Sequence, residues 1–503
     1  LADVTDRPDQ RNGATGGRAR RSGRGAGSGG RPPGTRGDPA RRLALDVLLA
    51  VSERDAYANL LLPELLTQRG LTGRDAALAT ELTYGTLRGR GSYDAVLAIC
   101  SDRDLESLDP AVREVLRLGA HQLLGTRVQA HAAVATSVSL IKGAAGQRPA
   151  GFVNAILRRV ATRDLRAWLE IAAPDRAEDP AGHLAVRYSH SRWIVEAFAE
   201  ALGEGLAGPL TETEAVLAAD NERPHVHLCA IPGRADQAEL VAAGLRPARW
   251  SQFGAYLAEG DPAAIPAVAS GRAGVQDEAS QLAAIAVARA EELTSGGDDR
   301  WLDLCAGPGG KARLLAGLAD GTGTRLVAGE VREHRARLVR DVISGSGRAA
   351  VVVADGRRPA WRPGTFSRVL ADVPCTGLGA LRRRPEARWR RKPEDLAGLG
   401  ALQRELLRTA LDSARPGGVV GYVTCSPHVA ETREVVAAVL ADRPETEVLD
   451  APAVLSEVPG LRGPDPYRRY AQFWPHRHGT DAMFVALLRT AATGTSARGR
   501  GGS

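Results

Sequence analysis

The chain has 503 residues, 44% hydrophobic and 25% charged, with a formal net charge of +7. That length predicts several domains, each able to bury a core, and no apolar run approaches the roughly 20 residues of a membrane span. Cys100, Cys229, Cys305, Cys375 and Cys425 stand far apart with no CxxC pair, which argues against a disulfide framework and against a bound metal such as zinc.

The basic balance favours a polyanionic partner. It is carried almost entirely by arginine, since Lys142, Lys311 and Lys392 are the only lysines. With so much alanine and glycine, that skew also fits a GC-rich coding bias, so arginine abundance alone weighs little. No secretion-type leader is visible, and the cytoplasm is the expected compartment.

Residues 1–38 are rich in Gly, Arg and Pro without hydrophobic periodicity and read as a disordered basic tail. A shorter tail of the same kind is expected over 490–503. From Pro39 the pattern turns helical. "ARRLALDVLLAVSE" places Leu43, Val47 and Ala50 on one side, and "DPAVREVLRLGAHQLL" repeats the spacing through Val112, Val115, Leu116, Leu118 and Leu123. Further helices are expected over Asp75–Leu87, His131–Lys142 and Phe152–Val160, giving an all-helical domain over 39–165. A helical linker and a small α+β module follow over 166–270. From 271 to 489 strand and helix signals alternate. "RWLDLCA", "TRLVAGEV", "AAVVVADG", "SRVLADVP", "GGVVGYVTCS" and "MFVALL" read as buried, parallel-type strands. The expectation is a doubly wound, Rossmann-like sheet with its ligand at the C-terminal strand ends.

"LDLCAGPGGKA", Leu302 to Ala312, is a strand entering a Gly-rich turn and a helix, a setting whose bare amides suit a polar ligand. A Walker phosphate loop is excluded, because Cys305 and Ala312 occupy the places that need Gly and Ser or Thr. A dinucleotide fingerprint fits, with Glu330 near its ribose acid. S-adenosylmethionine fits as well, with Asp303 before the turn and Glu330 and Asp355 at the next two strand ends. The loop alone leaves these two level.

The following strands separate them. "LADVPCTGLG" and "VTCSPH" put Cys375 and Cys425 in tight turns at adjacent strand ends. Hydride transfer has no need of two thiols. Methylation of a pyrimidine at C5 has, because cytosine C5 is a poor nucleophile until a thiolate adds at C6. Cys100 and Cys229 read as small buried hydrophobes, and Cys305 as packing beside the cofactor turn.

"DLCAGPGGK", "DVPCTGLG", "VTCSP", "FWPHRHGTDAMFVALL" and "VQDEASQ" together resemble the motif set of the Nol/Nop/Sun group of RNA 5-methylcytosine methyltransferases. The helical N-terminal part resembles a NusB domain, a pairing found among bacterial 16S ribosomal RNA members of that group. The resemblance spans about residues 39–489. Departures are Gly307 for a frequent Ala, Thr376 for the usual Ser, and "ETRE" where "ENE" is common.

It implies that Cys425 is the nucleophile and that Cys375 assists product release. Cys305, Ala306, Gly307, Pro308, Gly309, Gly310 and Lys311 would cradle S-adenosylmethionine, Glu330 would hold the ribose hydroxyls, and Asp355 would sit by the adenine. Asp372 would lie between cofactor and base and support protonation of the cytosine edge. The implied partner is RNA, 16S ribosomal RNA within this group, with no membrane, no metal and a monomeric state. Beside these motifs, "LRRRPEARWRRK" reads as an RNA-backbone clamp formed by Arg382, Arg383, Arg384, Arg388 and Arg390, with Trp389 for stacking.

Overall fold

The computed structural model describes residues 38–291, 297 and 299–492. The two expected tails therefore lie outside the described residues, except for Asp38 and residues 490–492.

Three α-helices start with the same device, an aspartate followed by proline. Asp38 accepts hydrogen bonds from the amides of Ala40 and Arg41, Asp109 from that of Ala111, and Asp179 from that of Gly182. Proline next to each cap lacks an amide that would otherwise be orphaned and already has a helical φ. The N-terminal bundle comprises α1 (Pro39–Arg54), α2 (Ala58–Gln68), α3 (Gly73–Cys100), α4 (Pro110–Leu124), α5 (Ala130–Ala145) and α6 (Ala150–Val160). Leu43, Val47 and Ala50 are buried as the spacing requires, and so are Val112, Val115, Leu116 and Leu118, while Leu123 is partly exposed. The helix expected over 75–87 continues to Cys100. Its glycines do not break it, because Gly85, Gly89 and Gly91 lie against the rings of His121, Tyr93 and Trp389.

A second helical layer holds α7 (Leu165–Ala172), α8 (Pro180–Tyr188), α9 (Arg192–Leu202) and α10 (Thr211–Asp220). Its core of Leu184, Ile194, Phe198 and Leu217 continues into Leu378, Leu381 and Trp474. This layer is packed on the C-terminal domain rather than strung between domains. The small module holds β1 (Val226–Ala230), α11 (Gln237–Ala242), β2 (Arg246–Pro247), β3 (Gly254–Leu257), α12 (Pro266–Ala269) and β4 (Ala273–Val275), in an antiparallel sheet of order β2-β3-β1-β4. β4 pairs with β1, so the module reaches past the boundary expected at residue 270.

The C-terminal domain runs α13 (Glu278–Arg289), β5 (Arg300–Asp303), α14 (Gly310–Thr322), β6 (Arg325–Glu330), α15 (Glu333–Ile343), β7 (Ala349–Val353) and β8 (Phe366–Asp372). It continues with α16 (Ala387–Arg390), α17 (Asp395–Ser413), β9 (Ala414–Thr424), α18 (Arg433–Ala441) and β10 (Glu447–Val448), then α19 (Ala451–Val454), β11 (Ala471–Gln472), α20 (Pro475–His478) and β12 (Phe484–Arg489). The strands lie in the order β10-β12-β9-β8-β5-β6-β7, with β11 beside β12. β5 to β9 run parallel to one another. "MFVALL", expected as a parallel strand, instead forms antiparallel β12. A strand buried on both faces reads alike in either direction, and antiparallel strands are common at the margins of parallel sheets. Chain direction reverses its lateral progress at β5, flanked by β6 and β8, so the C-terminal end of β5 is the topological switch point where α/β ligands bind.

This packing engages most of the side chains expected to form an RNA clamp. Arg388 is 0% exposed and donates to the carbonyls of Arg88, Ser189 and Asp220 and to Asn221 Oδ1, at 2.8–3.1 Å. Arg390 donates to Ala56 O at 2.8 Å and lies over the Tyr57 ring, and Trp389 packs on Gly91 beneath Arg90. Arg382 donates to Gly479 O, while Arg383 bridges Asp277 at 2.8 Å and Asp481 at 2.9 Å. Arg388, Trp389 and Arg390 thus join the sheet domain to the helical layers, while Arg382 and Arg383 are held by residues of the sheet domain. A guanidinium presents five donors in a rigid fork and suits loop carbonyls as well as phosphates. Arg384 alone of the six is exposed.

Candidate active site

The cofactor loop follows β5. Gly309 has φ 114°, a left-handed value that lets the chain turn into α14, where Gly310 and Lys311 open the helix. At the foot of the loop Asp303 is buried, and neither carboxylate oxygen has a well-formed hydrogen bond among the described residues. Burial, with Asp372 nearby, pushes its pKa up to about 8. At the end of β6 Glu330 is also buried; its Oε1 accepts the Arg332 amide at 2.9 Å, and its Oε2 lies 3.7 Å from Arg335 Nε. Arg335 Nη2 also donates to Gly307 O at 2.6 Å. Asp355, after β7, is engaged by the Arg357 side chain and amide. Val331 and Val353, next to these acids, are large apolar side chains left exposed. Sequence reasoning passed over both valines, whose only signal was their place at strand ends.

This donor set fits S-adenosylmethionine. The unpaired Asp303 carboxylate suits the cationic amino group, Glu330 suits a ribose diol, and the exposed valines suit an adenine face. Burial, with Asp303 and Asp372 nearby, pushes the Cys305 thiol's pKa far up.

The second half of the site lies at the ends of β8 and β9. Asp372 accepts from Lys311 Nζ at 2.8 Å. Burial disfavours the Lys311 ammonium, but Asp372, Cys425 and Asp303 more than offset it, so its pKa stands above the ordinary lysine value. Cys375 Sγ and Cys425 Sγ are 3.4 Å apart, both partly exposed. The hydrogen bond from Cys375 pulls the Cys425 pKa below the ordinary thiol value against burial and Asp372, with Lys311 and Arg384 assisting. That same bond, then burial, pushes Cys375 well up. The pair is therefore asymmetric, with ionisation favoured at Cys425 over Cys375.

Two contacts that the motifs did not announce hold the turns together. Glu431, fully buried in the "ETRE" stretch, accepts from the Thr376 amide at 2.7 Å and from the Thr376 hydroxyl. Gly379 N donates to Cys425 O at 2.9 Å, and a Cβ on Gly379 would lie 1.8 Å from Ala482 O, so only glycine fits there. Among the described residues no cluster of His, Cys, Asp or Glu is arranged to hold a metal ion, and no helix is long and apolar enough to cross a membrane.

Fold and loop together define an S-adenosylmethionine-dependent methyltransferase joined to a NusB-like helical domain. A family model described as 16S rRNA methyltransferase RsmB/F matches residues 290–489, and one described as NusB family matches residues 38–162. A Mycobacterium tuberculosis protein named only as a methyltransferase, Rv1407, is 52% identical over 453 residues, covering 90% of this chain and 96% of that one. The ribosomal RNA small subunit methyltransferase B of Pseudomonas putida is 32% identical over 472 residues, covering 90% and 99%. The crystal structure of PH0851 shares the fold, with a TM-score of 0.71 at 22% identity over 90% of this chain and 98% of that one. The chain belongs to the RsmB/F methyltransferase family.

Proposed function

We propose that the protein methylates C5 of a cytosine in 16S ribosomal RNA through a covalent adduct between Cys425 and C6. The observation that carries this reading is the contact between two thiols of opposite tendency at the ends of adjacent strands. The P. putida relative bears the name of a small-subunit ribosomal RNA enzyme, and the NusB-like domain supports an RNA partner.

Cys305 to Lys311, Asp303 and Glu330 would hold S-adenosylmethionine, with Asp355 and the two valines available to its adenine, and the cofactor would supply an electrophilic methyl group. The protein's task is to make C5 nucleophilic and then to restore aromaticity. Cys425 thiolate adds to C6, and the electron pair of the C5–C6 bond moves onto C5 as an enamine. Asp372, oriented by Lys311, accepts a hydrogen bond from the cytosine edge and so supports protonation of the ring while charge builds there. After methylation C5 still carries its hydrogen. Cys375 is kept protonated by the Cys425 charge; once that charge is spent in the C–S bond, Cys375 can ionise and take the C5 proton. The pair left on C5 re-forms the double bond and expels Cys425 as thiolate. Reaching C6 requires the base to leave its stack, so a loop or single strand is the expected substrate. Arg384, exposed and close enough to influence Cys425, is the candidate phosphate contact at the mouth.

Bisulfite mapping of 16S ribosomal RNA from cells with and without the gene tests the reading. One cytosine protected only when the gene is present is the expected result, and an identical pattern would sink it.

A further inference from the structure

A cavity of about 260 Å³ opens beside the turn that carries Cys425, with Pro427 of that turn in its wall. Pro427 is two positions beyond Cys425, so their Cα atoms lie within about 8 Å. The cavity shares no lining residue with the cofactor loop or with the acids at the strand ends. Its walls are aromatic. Tyr467 and Tyr470 lie near-parallel, 19° apart with centroids at 6.1 Å, and Phe484 stands edge-on to Tyr470 at 5.3 Å.

Two polar groups in the lining are poised without a matching protein partner. Gln472 Nε2 donates to Phe473 O at 3.0 Å and to Met483 O at 3.1 Å. Carbonyls only accept, so the amide orientation is forced; Gln472 Oε1 is left as an acceptor with no donor among the described residues. Arg433 lies 4.9 Å from the Tyr467 ring centroid and donates to Glu200 O at 2.9 Å. Among the described residues no carboxylate pairs with it, so its charge is uncompensated.

We propose that this cavity receives the base of a nucleotide adjoining the target cytosine in single-stranded RNA. The inference rests on the RNA substrate proposed above. Ring surfaces supply sequence-tolerant stacking, the fixed Gln472 acceptor meets an N–H on a base edge, and Arg433 answers the neighbouring phosphate. Seating a flanking base would hold the strand while the cytosine is extruded towards Cys425.

The test uses the full chain, 16S ribosomal RNA transcript and, once the methylated cytosine is mapped, short oligoribonucleotides with one abasic position beside it. For Gln472→Ala and Tyr467→Ala the RNA KM should rise about tenfold, the effect of losing one base contact, while kcat and cofactor Kd stay within about twofold. The wild type should lose affinity when one particular flanking base is absent, and the variants should be blind to that loss. Unchanged KM, or variants as sensitive as wild type to every abasic position, overturns the base site while leaving the methyl-transfer reading intact. Wild type that methylates no RNA overturns both.

Discussion

Glu431 accepts the Thr376 amide at 2.7 Å and so ties the turn after β9 to the turn after β8. Gln403 Nε2 reinforces the link, donating to Pro374 O at 2.9 Å and to the same carboxylate at 3.1 Å. The thiols meet because this buried carboxylate holds their turns. Glu431→Ala leaves the Thr376 amide without an acceptor, a cost of about 1–3 kcal/mol. The variant should melt earlier and lose about tenfold or more in kcat, with cofactor affinity unchanged by calorimetry; Glu431→Gln, which still offers one acceptor, should recover part of both. A Glu431→Ala protein with native kcat would show that the turns do not need the tie.

The cysteine pair makes a directional prediction. Cys425→Ala should abolish turnover and form no covalent RNA complex while still binding cofactor. Cys375→Ala should stall after methyl transfer as a protein–RNA band that survives a denaturing gel. Cys375→Ala also removes the hydrogen bond that lowers the Cys425 pKa, so the pH midpoint for alkylation of Cys425 should move upward. A trapped band from Cys425→Ala and none from Cys375→Ala would reverse the two roles.

Asp303 should make cofactor binding pH-dependent. With a pKa near 8 in the free site, its carboxyl is protonated at neutral pH, and a cationic ligand favours the ionised form. Affinity should therefore rise with pH, by at most about tenfold per unit, and level off above pH 8 or so. The raised pKa also means that the apo protein loses stability as pH climbs from about 4 towards 8. Calorimetry in buffers of different ionisation enthalpy should find close to one proton released at pH 7, and Asp303→Asn should release none.

Arg388 and Arg384 should separate cleanly. Arg388→Ala strands the acceptors of Arg88, Ser189, Asp220 and Asn221 in a buried junction and should cost about 3 kcal/mol or more in urea unfolding. Arg388→Lys should not rescue it, since one ammonium cannot span those acceptors. Where the variant is folded, RNA affinity should be native. Arg384→Ala should do the opposite, weakening RNA binding and its salt dependence with stability unchanged. Native stability in Arg388→Ala would remove the clasp.

The cofactor loop and the two cysteine turns were legible in the chain because their signals are local. A buried strand, a Gly-rich turn and a helix start lie within ten residues of Asp303, and each thiol sits next to the Pro or strand end that orients it. Helical period likewise announced α1 and α4, whose faces are buried among near neighbours in sequence. The partners of the arginines were decided only in three dimensions. Arg388 and Arg384 are four residues apart in one basic run, and nothing in that run distinguishes them. Arg388 is buried because Arg88 in α3, Ser189 at the end of α8 and Asp220 at the end of α10, some 170 to 300 residues upstream, bring their carbonyls to it. The direction of β12 and the tie from Glu431 to Thr376 belong to the same class. Residue type states what a group can donate or accept; which partner it meets depends on contacts between segments distant in the chain, and these exist only once the domains have packed.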